Sequence, residues 1–232
     1  MIINFNQIFL ENPTRQILRD VSLSLTESRI GVIGANGSGK STLVRLINGL
    51  VSPTAGSVVV NGLDVSQNLK LVRQLVGFVF QNPDNQIVFP VVSEDLDFGL
   101  KPRLPNVNDR QIRIKETLAR LGIEKLYERA VHELSGGEKQ LVALAAVLSL
   151  EPEILILDEP TTQLDLRYRN RLMHIVSRLK QPVIFVTHDL DLLQDFDRVL
   201  VIDQGQIVHD GSPRQALDWY VVHMSQLMGQ GA

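Results

Sequence analysis

The chain has 232 residues, 44% of them hydrophobic and 21% charged, with a formal net charge of −3. That is enough for one large domain or a core with a subdomain, and it offers no overall basic field for nucleic acid. It has no cysteine, which excludes disulfides, thiolate metal sites and a cysteine nucleophile.

In chain order, Met1-Ile2-Ile3-Asn4 lacks a basic region and a cleavage site, so no signal peptide is expected. Residues 5–9 and 21–25 alternate, and residues 57–60 run into the turn Asn61-Gly62, which together suggest an antiparallel piece. Residues 30–33 form a short apolar run. After it come Gly34-Ala35-Asn36-Gly37-Ser38-Gly39-Lys40-Ser41-Thr42 and a helical pattern over 42–48 that Gly49 stops. This stretch matches G-x-x-x-x-G-K-[ST], set between strand and helix as a phosphate loop must be. Glycines let backbone N–H groups turn toward anionic oxygens, and the helix start adds a partial positive charge there. Lys40 can reach the terminal phosphates, and the Ser41 hydroxyl can hold Mg²⁺. The bland alternative is a flexible turn with a surface lysine. Chance gives the pattern in fewer than about one in a hundred chains of this length. Asn36, Gly37, Ser38, Gly39, Lys40, Ser41 and Thr42 are therefore candidate nucleotide contacts.

Apolar runs at 78–80, 154–157 and 183–186 also end in polar residues, ahead of Gln81, Asp158 and Thr187-His188. Such runs, alternating with helical patterns, predict a parallel sheet buried on both faces, with ligand beyond the carboxyl ends of its strands. Residues 83–150 read as mostly helical, and Asp109 is expected to cap a helix over 110–121 that Gly122 stops. The longest apolar run, 141–150, is about half of what a membrane span needs. A soluble, cytosolic protein is expected, one able to dock on a membrane partner.

Two further motifs carry chemistry. In Ile154-Leu155-Ile156-Leu157-Asp158-Glu159-Pro160, Asp158 is placed to hold Mg²⁺ through water, and Glu159 to polarise an attacking water. Alone these are two solvated acids at a strand end; the phosphate loop gives them their meaning. In Leu134-Ser135-Gly136-Gly137-Glu138-Lys139-Gln140, Ser135 and Glu138 form a capping box. That leaves Gly136-Gly137 unexplained, since glycine is a poor helix former. Two glycines at a helix start expose N–H groups as a second anion seat, which makes sense if it serves the nucleotide of another subunit. Further on, 199–202 and 206–209 flank Gln204-Gly205 as a hairpin, and Ser212-Pro213 opens a last helix. There is no internal repeat.

With the phosphate loop, Gln81, the 134–140 motif, the 154–159 strand, Leu164-Asp165 and His188 in this order, the chain resembles the nucleotide-binding subunits of ABC transporters over nearly its whole length. The resemblance implies a P-loop (RecA-like) α/β core with an antiparallel β piece and, at about 83–150, a helical subdomain. It implies a head-to-tail dimer with ATP and Mg²⁺ sandwiched between subunits. Lys40, Gln81, Glu159 and His188 would then act on one ATP, with Ser41, Gln81 and Asp158 on the metal side. Ser135, Gly136 and Gly137 would meet the ATP held by the other subunit. His188 would hydrogen-bond the γ-phosphate and position the water.

The segment Phe80-Gln81-Asn82-Pro83-Asp84-Asn85-Gln86-Ile87-Val88 and Ser93-Glu94-Asp95-Leu96-Asp97-Phe98-Gly99 look like those of energy-coupling-factor transporters, which import vitamins and transition-metal ions. This implies an integral coupling subunit and a solute-binding membrane subunit as partners, no nucleic acid, and a peripheral place on the cytoplasmic face of the membrane. Asp84, Glu94, Asp95 and Asp97 are expected to meet arginine-bearing coupling helices, unless they are merely a solvated face. Near Phe9-Leu10-Glu11 the family usually offers an aromatic to adenine; here Leu10 or Glu11 stands in that place. Leu141 stands where relatives usually have arginine. A short chain of this kind is most like the biotin-type subunit, which favours a homodimer. The alternatives are a soluble ATPase of a nucleic-acid system or of scaffold assembly.

Overall fold

The computed structural model describes residues 1–229. The chain runs β1 (Ile3–Asn12), β2 (Arg15–Leu25), β3 (Arg29–Ile33), α1 (Lys40–Ile47), β4 (Ala55–Val60), β5 (Leu63–Asp64), α2 (Leu69–Leu75), β6 (Val76–Val79), α3 (Val92–Leu100), α4 (Val107–Leu121), α5 (Gly136–Ser149), β7 (Ile154–Asp158), α6 (Leu166–Arg178), β8 (Val183–Val186), β9 (Arg198–Asp203), β10 (Gln206–Gly211) and α7 (Pro213–Gly229).

Alternating strands make the first sheet, antiparallel in the order β2-β1-β4-β5. The continuous apolar runs make the second, in the order β10-β9-β3-β8-β7-β6, parallel from β9 through β6 with β10 as an antiparallel edge. The parallel strands of the second sheet are covered on both faces, which is why they carry no polar alternation, whereas the edge strand β10 does alternate. Leu155 and Leu157 of β7 and Val183 and Phe185 of β8 join the core beneath the helices. Ile154, Ile156, Ile184 and Val186 point the other way, into the core shared with α1 and the first sheet. Parallel pairing puts the carboxyl ends of β3, β6, β7 and β8 along one edge, where the sequence places the phosphate loop, Gln81, Asp158-Glu159 and His188.

Two helix starts differ from expectation. Helix α1 begins at Lys40, two residues early, because Gly39 takes a left-handed conformation at its N-cap. Helix α4 begins at Val107, because the Asn106 side chain accepts the Asn108 N–H; Asp109 lies within the first turn instead of capping it. Asn-x-Asn-Asp offers several cap-competent residues, and the earliest one wins. Phe80 falls just outside β6.

Candidate functional site

The loop after β3 wraps a cleft of about 780 Å³ whose walls include Asn36, Gly37, Gly39, Lys40, Ser41, Thr42, Gln81, Glu159 and His188. That is the size range of nucleotide and ligand sites. Gly34, at φ 149°, starts the loop, and a Cβ there would run into the Ile202 carbonyl oxygen, so only glycine lets the loop lie this close to β9. Buried Lys40 donates from Nζ to the Gly34 and Ala35 carbonyls at 2.9 and 3.0 Å, which holds the ammonium over the loop. Ser38 is also buried, and its Oγ has no protein partner. An unpaired buried hydroxyl in a glycine-rich loop fits an anionic oxygen.

Glu159 is where the cleft's polar groups converge. Its carboxylate lies 3.6 Å from Lys40 Nζ and 3.6 Å from His188 Nδ1. Gln81 Nε2 donates to Oε2 at 3.3 Å, and Thr162 Oγ1 does so at 3.3 Å. The backbone of Glu159 has φ 49°, a left-handed turn that a non-glycine residue adopts at some cost and that swings the side chain off the strand axis into the cleft. Its N–H is held by the Val186 carbonyl at 3.0 Å. Beside it, Asp158 is 1% exposed, accepting from Ser41 Oγ at 2.7 Å and Arg45 Nη2 at 3.1 Å. Burial pushes the Asp158 carboxyl above its ordinary pKa, and the Ser41 and Arg45 contacts only partly offset this. Ser41, Asp158 and Gln81 supply a hydroxyl, a carboxylate and an amide oxygen, the hard donors that Mg²⁺ takes.

Ser135, Gly136 and Gly137 do not line this cleft. They open α5, where the capping box is complete: Ser135 Oγ accepts the Glu138 N–H at 3.3 Å, and Glu138 Oε2 accepts the Ser135 N–H at 2.9 Å. The two glycines are not equivalent. A Cβ on Gly136 would meet nothing within 4 Å, whereas one on Gly137 would collide with the Tyr168 ring. Tyr168 is set there by the N-cap of α6, where Asp165 accepts the Tyr168 N–H at 2.9 Å. Gly136 therefore faces outward, and Gly137 is a packing requirement within the chain.

The acidic cluster is not as expected. Asp95, 8% exposed, accepts the Val88 and Phe89 N–H groups at 2.8 and 3.0 Å. Asp97 pairs with Arg110 Nε at 2.5 Å and Lys101 at 3.7 Å, and Asp84 pairs with Lys139 at 2.7 Å. Glu94 alone of the four has no ion pair among the described residues. What this region offers is an apolar groove of about 430 Å³ whose walls include Leu50, Phe78, Phe80, Val88, Phe98 and Val147. Val88 and Phe98 are 76% and 53% exposed. Gln86 bridges groove and core, accepting the Phe80 N–H at 3.2 Å and donating to the Ala143 carbonyl at 2.8 Å.

Sequence reasoning missed Asn12, Arg15, Ile17, Thr162 and Tyr220, which also line the cleft. Arg15 donates to the Gly37 carbonyl, tying the first hairpin to the loop. Phe9, Leu10 and Glu11 are absent from the lining. No spacing marks Arg15 or Tyr220; only the pairing of distant strands brings them here.

A family model described as ABC transporter matches residues 18–162. The chain is 46% identical over 220 residues to the biotin transport ATP-binding protein BioM of Rhizobium etli, covering 95% of this chain and 98% of the relative. It is 45% identical over 194 residues to the energy-coupling factor transporter ATP-binding protein EcfA of Methanoculleus marisnigri, covering 80% and 69% respectively. Among solved structures, cbiO1 of Clostridium perfringens, described as part of the ABC transporter complex cbiONQ, matches with a TM-score of 0.83 at 30% identity. That match covers 97% of this chain and 94% of the other.

Proposed function

This chain belongs to the ABC transporter family as an ATP-binding, ATP-hydrolysing subunit, and on that premise we propose that it powers an importer of the energy-coupling-factor type. The observation that carries the proposal is the convergence of Lys40, Gln81 and His188 on Glu159, at the mouth of the phosphate loop. Glu159 orients and polarises the attacking water, and His188, beside it, hydrogen-bonds the γ-phosphate. The loop N–H groups, Lys40 and the Ser38 hydroxyl hold the phosphates. Ser41, Asp158 and Gln81 would hold Mg²⁺, which when bound would supply charge neutralisation at the phosphates.

The outward-facing Ser135-Gly136 edge completes a second copy's site, so the working unit is a head-to-tail homodimer. The groove beside Gln81 takes an apolar segment of the integral coupling subunit, and a separate membrane subunit binds the solute. The protein then sits as a peripheral subunit at the cytoplasmic face. Among the described residues, no helix is long and apolar enough to cross a membrane. A groove with Val88 and Phe98 this exposed supports an apolar protein partner and speaks against a nucleic-acid system. Biotin is the favoured solute, following the name of the relative BioM, and a transition-metal ion, the other cargo class that the energy-coupling-factor resemblance implies, is the next.

The test is Glu159→Gln in the reconstituted transporter, reading ATP turnover and labelled-biotin uptake together. Turnover should fall by roughly 10²-fold or more. ATP should still bind, and the subunit should accumulate as an ATP-bound dimer on size-exclusion chromatography. Near-normal turnover would remove Glu159 from the reaction. Wild-type turnover with no biotin uptake would turn the search to a metal ion.

A further inference from the structure

The phosphate loop is contiguous in sequence, but the rest of the cleft wall is built from remote pieces. One of them is Tyr220 of α7, half-buried against the helical core and open to the cleft. How it gets there follows from topology. Strand β9 lies parallel to β3, so Asp203 at its carboxyl end stands at the same edge as the phosphate loop. Strand β10 runs back antiparallel, and α7 then returns toward that edge. From Pro213 to Tyr220 is about 12 Å of helix at about 1.5 Å per residue, enough to recover most of the length of β10. On arrival His223 Nε2 sits 3.3 Å from Asp203 Oδ2.

The helix is also fixed in rotation. Trp219 is stacked between His209, with ring centres 5.2 Å apart and planes 13° apart, and His223, at 4.5 Å and 20°. Neighbours in a helix are about 100° apart around its axis, so clamping Trp219 against β10 turns Tyr220 aside, toward the cleft. Burial and the Asp203 carboxylate push the Tyr220 phenol up, so the ring stays neutral at physiological pH. Among the described residues, Tyr220 is, apart from His188, the only aromatic ring in the cleft wall.

We infer that Tyr220 of the C-terminal helix is the platform on which the nucleotide base rests, with the Arg15 guanidinium beside the phosphate loop flanking it. This rests on the reading of the Gly34–Thr42 loop as the phosphate seat. It assigns to the end of the chain the part of nucleotide recognition that residues 9–11 do not supply. A flat apolar ring face takes any base by stacking, a contact that costs roughly five- to a hundredfold in affinity when the ring is removed.

The experiment compares binding of ATP and of inorganic tripolyphosphate, which has the phosphates and no base, to full-length Tyr220→Ala, Tyr220→Phe and Lys40→Ala proteins. Trp219, the single tryptophan of the chain, gives an intrinsic fluorescence signal one residue from the site. Calorimetry supplies the affinities independently. Tyr220→Ala should weaken ATP about tenfold and leave tripolyphosphate within twofold of wild type, and Tyr220→Phe should restore ATP. Unchanged ATP affinity in Tyr220→Ala overturns the inference. So does an equal loss for both ligands, which would mark Tyr220 as a scaffold residue. Lys40→Ala should weaken both ligands; if it weakens neither, the phosphate-loop reading itself has failed, whatever Tyr220 does.

Discussion

The nucleotide cleft and the helical segment 83–150 solve opposite problems within one chain. In the cleft, polar groups meet partners from the same chain: Asp158 holds Ser41 and Arg45, and Glu159 gathers Lys40, Gln81, Thr162 and His188. In the helical segment, the internal bonds hold the segment's own shape. The capping box fixes the start of α5, and Asp95 fixes the turn at Val88-Phe89. The surfaces so shaped, at Gly136 and at Val88 and Phe98, open outward. On the proposed function, phosphate recognition is intrinsic to this chain, and the outward-facing surfaces are those that partner chains would complete.

The largest effect that can break this contrast is all-or-none. Gly136→Asp adds charge where nothing else is within reach, and an acid in the first turn of α5 favours the helix. The same change at Gly137 would strike Tyr168 and test packing instead. Homodimers of Lys40→Ala and of Gly136→Asp should both be inactive. Their mixed dimer has one site carrying both lesions and one carrying neither, and it should recover roughly half of wild-type turnover if the two sites fire independently. An inactive mixed dimer, with assembly confirmed by tagged co-purification, would mean that Gly136 serves its own chain's nucleotide.

Next in size is the groove. Val88→Glu with Phe98→Glu should abolish co-purification with the integral coupling subunit while ATP binding by the isolated subunit stays within twofold, because neither residue lines the nucleotide cleft. Retained assembly would make the groove a chance apolar patch. Reversing Asp95 and Asp97 instead would be a poor test. It would strip the Val88 and Phe89 N–H groups and the largely buried Arg110 guanidinium of their partners, and unfolding would follow.

The smallest effect sharpens the cleft side. The raised pKa of Asp158 means that the folded state binds its proton more tightly than the unfolded state. Stability therefore falls as pH rises through and above the ordinary carboxylate value, and the charge is a burden at neutral pH. Asp158→Asn should raise the melting temperature of the nucleotide-free protein by about 2–4 °C at pH 7, shrinking to nothing below about pH 4, while hydrolysis is lost. A lower melting temperature at pH 7 would show that the Arg45 pair outweighs burial.

Much of this was legible in the sequence because buried parallel strands announce themselves. The runs 30–33, 154–157 and 183–186 became β3, β7 and β8 and delivered their polar followers to one edge. The acidic cluster was misread for the complementary reason. A carboxylate's partner need not be near in sequence or even a side chain: Asp97 found Arg110, and Asp95 found two backbone amides. Tyr220 and Arg15 were invisible because their places depend on long-range pairing, of β9 with β3 for Tyr220 and of the first hairpin against the phosphate loop for Arg15, which leaves no trace in local spacing.

That same pairing has a consequence for the making of the protein. Strand β3 is flanked on both sides by strands that leave the ribosome late, β8 and β9. The Gly205 N–H reaches back to the Ser38 carbonyl at 2.9 Å, and Arg19, 185 positions before Gln204, bonds its carbonyl at 3.0 Å. At roughly 5–20 residues per second, synthesis leaves the phosphate loop on the order of ten seconds without these neighbours. The contacts that fix its final shape can therefore form only late in synthesis.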